Sequence, residues 1–396
     1  MPPIISTAFL GSDPDGNPVV SIHVKRTYVL PPSGVCVLAE EQQPFLNGPD
    51  SVAAEEQDGA PAAELPPESD VLPFKRTTDL IVMASAHAPD PGRSTEMIAS
   101  IEVGSRKVTY RIVGDRRVSY RGAGTLSFEP AAAFTTLPMR YENAYGGVDS
   151  TVEQPVPKLG MELFNLPRGI YPRNPIGRGY VVNEDAQLLD GLLLPNIEHP
   201  DQLLTPERLI SRSVESWWKQ PLPWSCDWFD LTWYPRCIAL GGLPAHLPDD
   251  DGAMAEVRLG FVEARQNQRL FNRSPVELVS PAFGDAASPA LVLPFLRGNE
   301  PIRLCGLSAG GELVVRLPEQ RPRMQVRFEG KMHDVDPVLN RLLVSTEEMG
   351  VYAVWHGTFP LPQTPQVRNP SPGREEGLES IGIEVFQDGT RLAPSS

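Results

Sequence analysis

The sequence predicts a mainly β fold of the α+β kind: two packed antiparallel β-sheet halves with a small helical, Trp-rich insertion. Three observations predict it. The chain of 396 residues holds 43 prolines and 33 glycines, about a fifth of it where roughly 12% is usual, which disfavours long helices and supplies turns. Short segments that alternate apolar and polar residues recur along it. Only one stretch, from Thr205 to Pro221, follows a helical period.

The first strong element runs from Val20 to Leu30. Val20, Ile22, Val24, Tyr28 and Leu30 share one parity, and Ser21, His23, Lys25 and Thr27 the other. That is the pattern of a half-buried strand, with the polar set facing water. Pro31 to Gly34 end it. Residues 47–73 carry seven acids, among them Asp70, and no Lys or Arg until the exit at Lys75. They read as a solubilising surface loop, or an acidic segment that docks a partner. Strands resume at Asp79–His87 and Thr95–Val103. A hairpin loop at 103–107 leads to a return strand with Val108, Tyr110 and Ile112 on its apolar side. Residues 145–180 are rich in Pro and Gly and read as ordered loops. Thr205 suits a helix cap, Pro206 the first helical position and Glu207 the positive end of the dipole. Leu209, Ile210, Val214, Trp217 and Trp218 continue the helical face. Further strands are expected at Glu256–Glu263, Ile302–Leu307, Glu312–Leu317 and Met324–Phe328, with a hairpin over Leu339–Ser345 and Val351–Phe359. After a linker over 362–378, Ile381 to Phe386 read as one last strand. The expected organisation is an N-terminal β-rich half (1–150), a loop-rich and helical insertion (151–255), a C-terminal β-rich half (256–361) and a linker with a short tail (362–396). No fixed-period repeat is present.

Composition narrows function. Fifty Asp and Glu against 35 Lys and Arg leave a net charge of −15, which disfavours nucleic acid and anionic membranes as partners. No run of about 20 apolar residues spans a bilayer, and the N-terminus lacks the basic start and apolar stretch of a signal peptide. Cys36, Cys226, Cys237 and Cys305 show no CxxC spacing, which fits a reducing compartment. The expected location is the cytoplasm.

Motifs of catalysis are sparse. Gly306-Leu307-Ser308-Ala309-Gly310 spells G-x-S-x-G, but a nucleophile elbow needs a strand before the Ser and a helix after it. Here Glu312 to Leu317 read as a strand, so Ser308 falls in a hairpin turn. A serine hydrolase using Ser308 with His333 or His356 is the enzyme alternative. The six histidines are dispersed, and none forms a zinc spacing with Cys or His. His333-Asp334-Val335-Asp336 reads as a solvated strand end. No glycine-rich phosphate loop and no cofactor are expected. Aromatic clustering is more informative. Trp217, Trp218, Trp224, Trp228 and Trp233 lie within 17 residues, joined by Phe229 and Tyr234. They form either a satellite core or an exposed patch for a protein partner, since Trp is enriched at binding hot spots; a carbohydrate-binding β module with stacked indoles is a further alternative. In Met139 to Gly147, Arg140 and Glu142 share one face of a strand with Tyr141 on the other, and Gly146-Gly147 permit a close backbone approach. Arg173 to Gly179 and Leu194 to Glu198 are further candidates for loop locks.

Several of these segments, in order, resemble a known bacterial family of uncharacterised domains encoded beside type VI secretion genes. They are Ser69 to Lys75 with Thr78-Asp79, Val113 to Arg117, Leu137 to Glu142 with Ala144 to Gly147, Asn174 to Gly179, Leu194 to Glu198 and Leu296 to Glu300, over residues 18–360. Val118 stands where the family carries Trp, and Tyr145 where Phe is commoner. The resemblance implies a non-enzymatic adaptor or chaperone. Its partners would be an effector with a PAAR-like spike-tip domain and the secretion spike. The expected binding residues are Trp217, Trp218, Trp224, Trp228 and Trp233, with Arg140, Glu142, Arg178 and Asn196 shaping a second, loop-built face.

Overall fold

A computed structural model describes residues 5–13, 17–32, 34–46, 69–72, 75–152, 169–211, 220–230, 233, 284–319, 321–362, 378 and 382–392. These residues are mainly β, and their delimited helical elements are 3-10 turns of three or four residues. The chain divides into two compact units, neither continuous in sequence: Met1–Ile81 with Asn267–Pro301 and Arg316–Ser396, and Val82–Gln266 with Ile302–Val315. No described helix is long and apolar enough to cross a membrane.

The first unit is organised by a seven-stranded sheet. Its order is Ile5–Ser12, Pro18–Val29, Gly350–Pro360, Val338–Ser345, Thr78–Met83 and Val292–Leu293, with Val37–Leu38 also paired to Pro18–Val29. The expected hairpin forms, Ser345 opposite Gly350. A four-stranded sheet holds Lys331–Val335, Met324–Phe328, Glu384–Gln387 and Thr390–Arg391, so the expected terminal strand begins later, at Glu384. One face of the large sheet is apolar, with Ile22, Val24, Tyr28, Leu339 and Trp355 buried. Gly298, at φ +85°, lies against the Trp355 ring, and a Cβ there would come within 2.6 Å of it. The Glu300 carboxylate holds the turn by accepting from the Arg297 and Gly298 amides at 2.8 and 2.9 Å.

The other face corrects the sequence reading. Pro18–Val29 is not half-buried: Ser21, His23, Lys25 and Thr27 are buried as well. The reason is charge compensation from distant chain. Lys25 Nζ lies 2.7 Å from Asp70, which also accepts from Arg341 at 3.2 Å and from the Leu46 amide at 2.8 Å. Lys75 lies 3.0 Å from Asp79 and 2.8 Å from Asp285, and Arg341 Nε lies 3.9 Å from Asp79. Three cations and three carboxylates therefore share one interior. Asp70, expected in a surface loop, is 4% exposed; residues 47–68 lie outside the described chain. A β-bulge places Arg341 there. The register shifts between Leu339 and Arg341, so Arg341 stands opposite Val354, which stands opposite Lys25. Were Asn340 paired regularly with Val354, Arg341 would fall opposite Ala353 and point to the apolar face.

His23 and His356 are cross-strand partners on the same polar face, stacked at 4.5 Å, and Phe9 stacks on His23 at 5.6 Å. His23 Nε2–H donates to the Leu72 carbonyl at 2.8 Å, and His356 Nε2 is 2.8 Å from Ser21 Oγ. Burial pushes His23 down to about 4 against the opposing pull of the Leu72 carbonyl. Burial, then the neighbouring His23, holds His356 well below the usual histidine range.

The second unit is built on a five-stranded sheet in the order Ile197–Glu198, Arg106–Val113, Glu96–Val103, Ile302–Cys305, Glu312–Val315. Val108, Ile101, Leu304 and Leu313 form one buried row across four strands. The expected helix from Thr205 is corrected. Pro206–Arg208 is a 3-10 turn with no side-chain cap, and then Ile210 bridges Val181 while the Ser211 amide donates to the Val181 carbonyl at 2.8 Å. Leu209 is buried with Val181, Leu194 and Leu204. That packing outweighs helical periodicity, because one turn has little stability of its own. Residues 212–219 and the strand expected at 256–263 lie outside the described residues.

Two expectations follow. Asp70→Asn leaves Lys25 and Arg341 buried without their carboxylate and lowers unfolding stability by about 3–5 kcal/mol, read from urea denaturation at pH 7. The histidine pair makes stability acid-sensitive. The unfolded histidines bind protons near pH 6.5, whereas in the fold His23 does so only at about 4 and His356 is held well below its usual range, so stability rises with pH across the His23 window and is lost as pH falls through it. His23 alone accounts for about 2 kcal/mol between pH 7 and pH 5, and His23→Phe, which keeps a ring in the stack, flattens that limb of the urea midpoint curve.

Candidate functional site

The motif residues of the second unit converge on a set of loops. Tyr145–Gly146 pairs in parallel with Arg178–Gly179. The approach is close: Gly146 and Gly147 take φ +149° and +97°, and a Cβ on either would run into the Asn174 or Gly177 carbonyl. Asn174, buried, donates from Nδ2 to the Tyr141 and Tyr145 carbonyls at 2.8 and 3.1 Å. Beneath lie Tyr145, Tyr171 and Tyr180, packed at 5.1 to 6.4 Å. The Tyr145 hydroxyl donates to Gln220 Oε1 at 3.3 Å.

Arg178 is the hub. Its Nε donates to the Glu142 carbonyl at 2.9 Å, Nη1 to Asn196 Oδ1 at 3.0 Å, and Nη2 to Asn143 Oδ1. Burial lowers its pKa, opposed by Asp115 and Glu142. Asn196 is saturated in turn. Its Nδ2 donates to the Val113 carbonyl and to Asp115 Oδ1, both at 3.0 Å, while its backbone N–H donates to Asn143 O and its carbonyl accepts from Val113, both at 2.8 Å. Arg140 and Glu142 do not lie on a strand as the sequence suggested. Tyr141–Asn143 is a 3-10 turn, with Arg140 preceding it and both flanking side chains half-buried. The Tyr141 and Glu142 carbonyls are taken by the side chains of Asn174 and Arg178, and the Asn143 carbonyl by the Asn196 amide.

The aromatic segment holds to the same unit. Trp224 is half-buried, its Nε1–H donates to the Thr109 carbonyl at 2.8 Å, and its ring lies 4.3 Å from His199 and 6.1 Å from Tyr110. Trp233 is buried, edge-on to Tyr141 at 5.2 Å and to Phe229 at 5.4 Å. Trp228 is half-buried, and its amide donates to Asp227 at 2.7 Å. Trp217 and Trp218 lie outside the described residues. Trp233 meets Tyr141 and Phe229 edge-on, and Trp224 lies at 67° to His199 and 43° to Tyr110, so these two indoles are not laid out as coplanar sugar platforms.

Three carboxylate locks were not singled out as candidates. Glu198, buried, lies 2.7 Å from Arg111 and 2.8 Å from Arg116, and accepts from the Leu204 amide at 3.1 Å. Asp115 is the second acceptor of Asn196. Asp149 gathers the amides of Val182, Asn183 and Thr151 at 2.9 to 3.1 Å and the Thr151 hydroxyl at 2.6 Å. Burial raises its pKa, yet the donors outweigh burial and the net shift is downward. Glu198 could have been found from its place in Leu194 to Glu198; among 50 carboxylates Asp149 carried no local signal.

Ser308 lies in the loop joining Ile302–Cys305 to Glu312–Val315, two antiparallel strands, so the strand-then-helix context of a nucleophile elbow is not met. Among the described residues its buried Oγ has no hydrogen-bond partner. Among the described residues no three His, Cys, Asp or Glu side chains group so as to hold a metal ion. What the converged residues do is brace. Each donor of the Arg178–Asn196 cluster described above meets an acceptor on another loop, and the result is a stiff, irregular surface. Arg178→Lys replaces a fork by a single point donor and leaves acceptors unmatched. It should cost about 2–3 kcal/mol in a urea melt, with Asn196→Ala of similar size and the far-ultraviolet spectrum unchanged.

One family, described as an uncharacterized protein conserved in bacteria (DUF2169), matches residues 15–356. No curated protein and no solved structure matches the chain.

Proposed function

We propose, for a chain that belongs to the bacterial family DUF2169, a non-enzymatic adaptor or chaperone role: it binds a type VI secretion effector, or the effector's PAAR-like spike-tip domain, and helps load it on the spike. The observation that carries this reading is an exposed apolar cluster on the first unit. Val37 is 65% exposed, Val29 and Val35 51% each, and Met349 40%. Val29 and Val37 are direct cross-strand partners, and Val29 also stands opposite Gly350, next to Met349. Contiguous apolar side chains on a sheet held by interior charges are a surface for another protein. The acidic balance supports the same reading, since a net charge of −15 keeps such a surface soluble between encounters.

The test is co-expression of the full chain with a protein that carries a PAAR-like domain from the same genome, followed by affinity purification in mild salt. The partner should co-purify in stoichiometric amount, and Val29→Asp with Val37→Asp should lower its recovery at least tenfold. Failure of the wild-type chain to retain any spike or effector component counts against the role.

A further inference from the structure

We infer that the interior of the first unit is a site of self-modification: Lys75 Nζ condenses with the Asp285 carboxyl to form an isopeptide bond, and Asp79 relays the protons. The step does not depend on the adaptor role.

The Lys75 and Asp79 side chains are 1% and 0% exposed. Lys75 Nζ lies 2.8 Å from Asp285 Oδ1, 3.0 Å from Asp79 Oδ1 and 2.9 Å from the Gly284 carbonyl oxygen. One amine therefore meets two carboxyl groups away from bulk water. Lys25 offers the contrast. Its carboxylate, Asp70, is also bound by Arg341 and by the Leu46 amide, and a carboxylate held so firmly as the anion is a poor electrophile. Asp285 has Lys75 as its only cation among the described residues, and its Oδ1 also accepts from the Thr77 hydroxyl at 2.7 Å. The two carboxyl groups of the Lys75 site are unequal, which assigns their parts. Asp79 accepts from the Ala286 amide at 2.9 Å and has Arg341 Nε at 3.9 Å, so it regains its charge at little cost and serves as the relay. Asp285 is 15% exposed against 0% for Asp79, which gives a released water a way out.

The six charges assemble first, and the bond forms inside the folded chain. Burial penalises an ammonium and a carboxylate together, so a proton passes between them more readily than in water. Asp79 takes one proton from the Lys75 ammonium, and the free amine attacks Asp285 Cγ. The Nζ–Cγ bond forms and the Cγ–Oδ2 bond breaks. Oδ2 leaves as water with two of the three ammonium protons, both carried by Asp79. The third stays on the amide nitrogen, and Asp79 ends ionised. Holding the amine at contact distance supplies the effective concentration that the condensation needs. Burial also favours the product, which has no charge to desolvate. The amide keeps its partners: N–H has Asp79 or the Gly284 carbonyl to donate to, and the carbonyl oxygen accepts from Thr77. One cation and one anion disappear together, so Lys25 and Arg341 still balance Asp70 and Asp79. The bond joins positions 210 apart in sequence.

The experiment uses the purified full chain. Its intact mass should lie below the sequence mass by one water, about 18 Da. Trypsin should release residues 27–76 joined to residues 274–297. On a denaturing gel the chain should run ahead of Lys75→Met, because a closed loop is more compact. Lys75→Met and Asp285→Ala should each restore the full mass, and so should Asp79→Asn with its far-ultraviolet spectrum unchanged. The wild-type measurement decides even where a variant fails to fold. A wild-type chain of full mass, with residues 274–297 released alone, overturns the inference. So does a water loss confined to one peptide, as a succinimide at Asp388-Gly389 gives, or a link from Lys75 to residues 77–93, which carry Asp79. A folded Asp79→Asn chain that still joins Lys75 to Asp285 overturns the relay.

Discussion

Six charged groups inside the first unit constrain everything built around them. Lys25, Lys75 and Arg341 face Asp70, Asp79 and Asp285, and five of the six side chains are at most 4% exposed. A buried charge is tolerated only with a partner at hydrogen-bond distance. The partners come from four separate stretches of chain, at 25, 70–79, 285 and 341. The sheet therefore cannot assemble piecemeal without leaving an ion unpaired, which ties segments far apart in sequence into one interior. Such interiors add little net stability over an apolar core. What they supply here is register, since only the bulge at Asn340 puts Arg341 on the right face.

The second unit solves a different problem by related means. Its loops carry little regular structure, so their backbone groups need partners from side chains. Arg178, Asn174, Asn196, Glu198 and Asp149 provide them. These residue types bind ligands in other settings, yet here their bonds are directed inward. The two units share a logic: buried polar side chains hold distant stretches of chain together.

Much of the β framework was legible locally. Met324–Phe328 was read with its observed bounds, and the 96–113 and 338–360 hairpins within a residue or two, because alternation and glycine turns are properties of adjacent residues. The turn around Ser308 was legible for the same reason. Two readings failed for a common physical cause. Thr205 onward has helical periodicity, but Ile210 found a bridge with Val181. Met139 to Asn143 alternates like a strand, but Asn174 and Arg178 captured the Tyr141 and Glu142 carbonyls. In both, a partner 29 or more residues away outweighed a local preference.

By itself the sequence determined most of the longer strands from Val20 onward, but not Ile5–Ser12, together with the scarcity of helix, the acidic balance and the motifs that mark the loops, since each depends on neighbouring residues or on sums over the chain. Only the tertiary structure decided that the polar side of Pro18–Val29 lies inside, that His23 meets His356, and that Arg178 and Asn196 lock together. Burying a lysine or a histidine is allowed or forbidden by what stands opposite, and what stands opposite Lys25 and His23 arrives from positions 70, 72 and 356. No local pattern encodes those pairings.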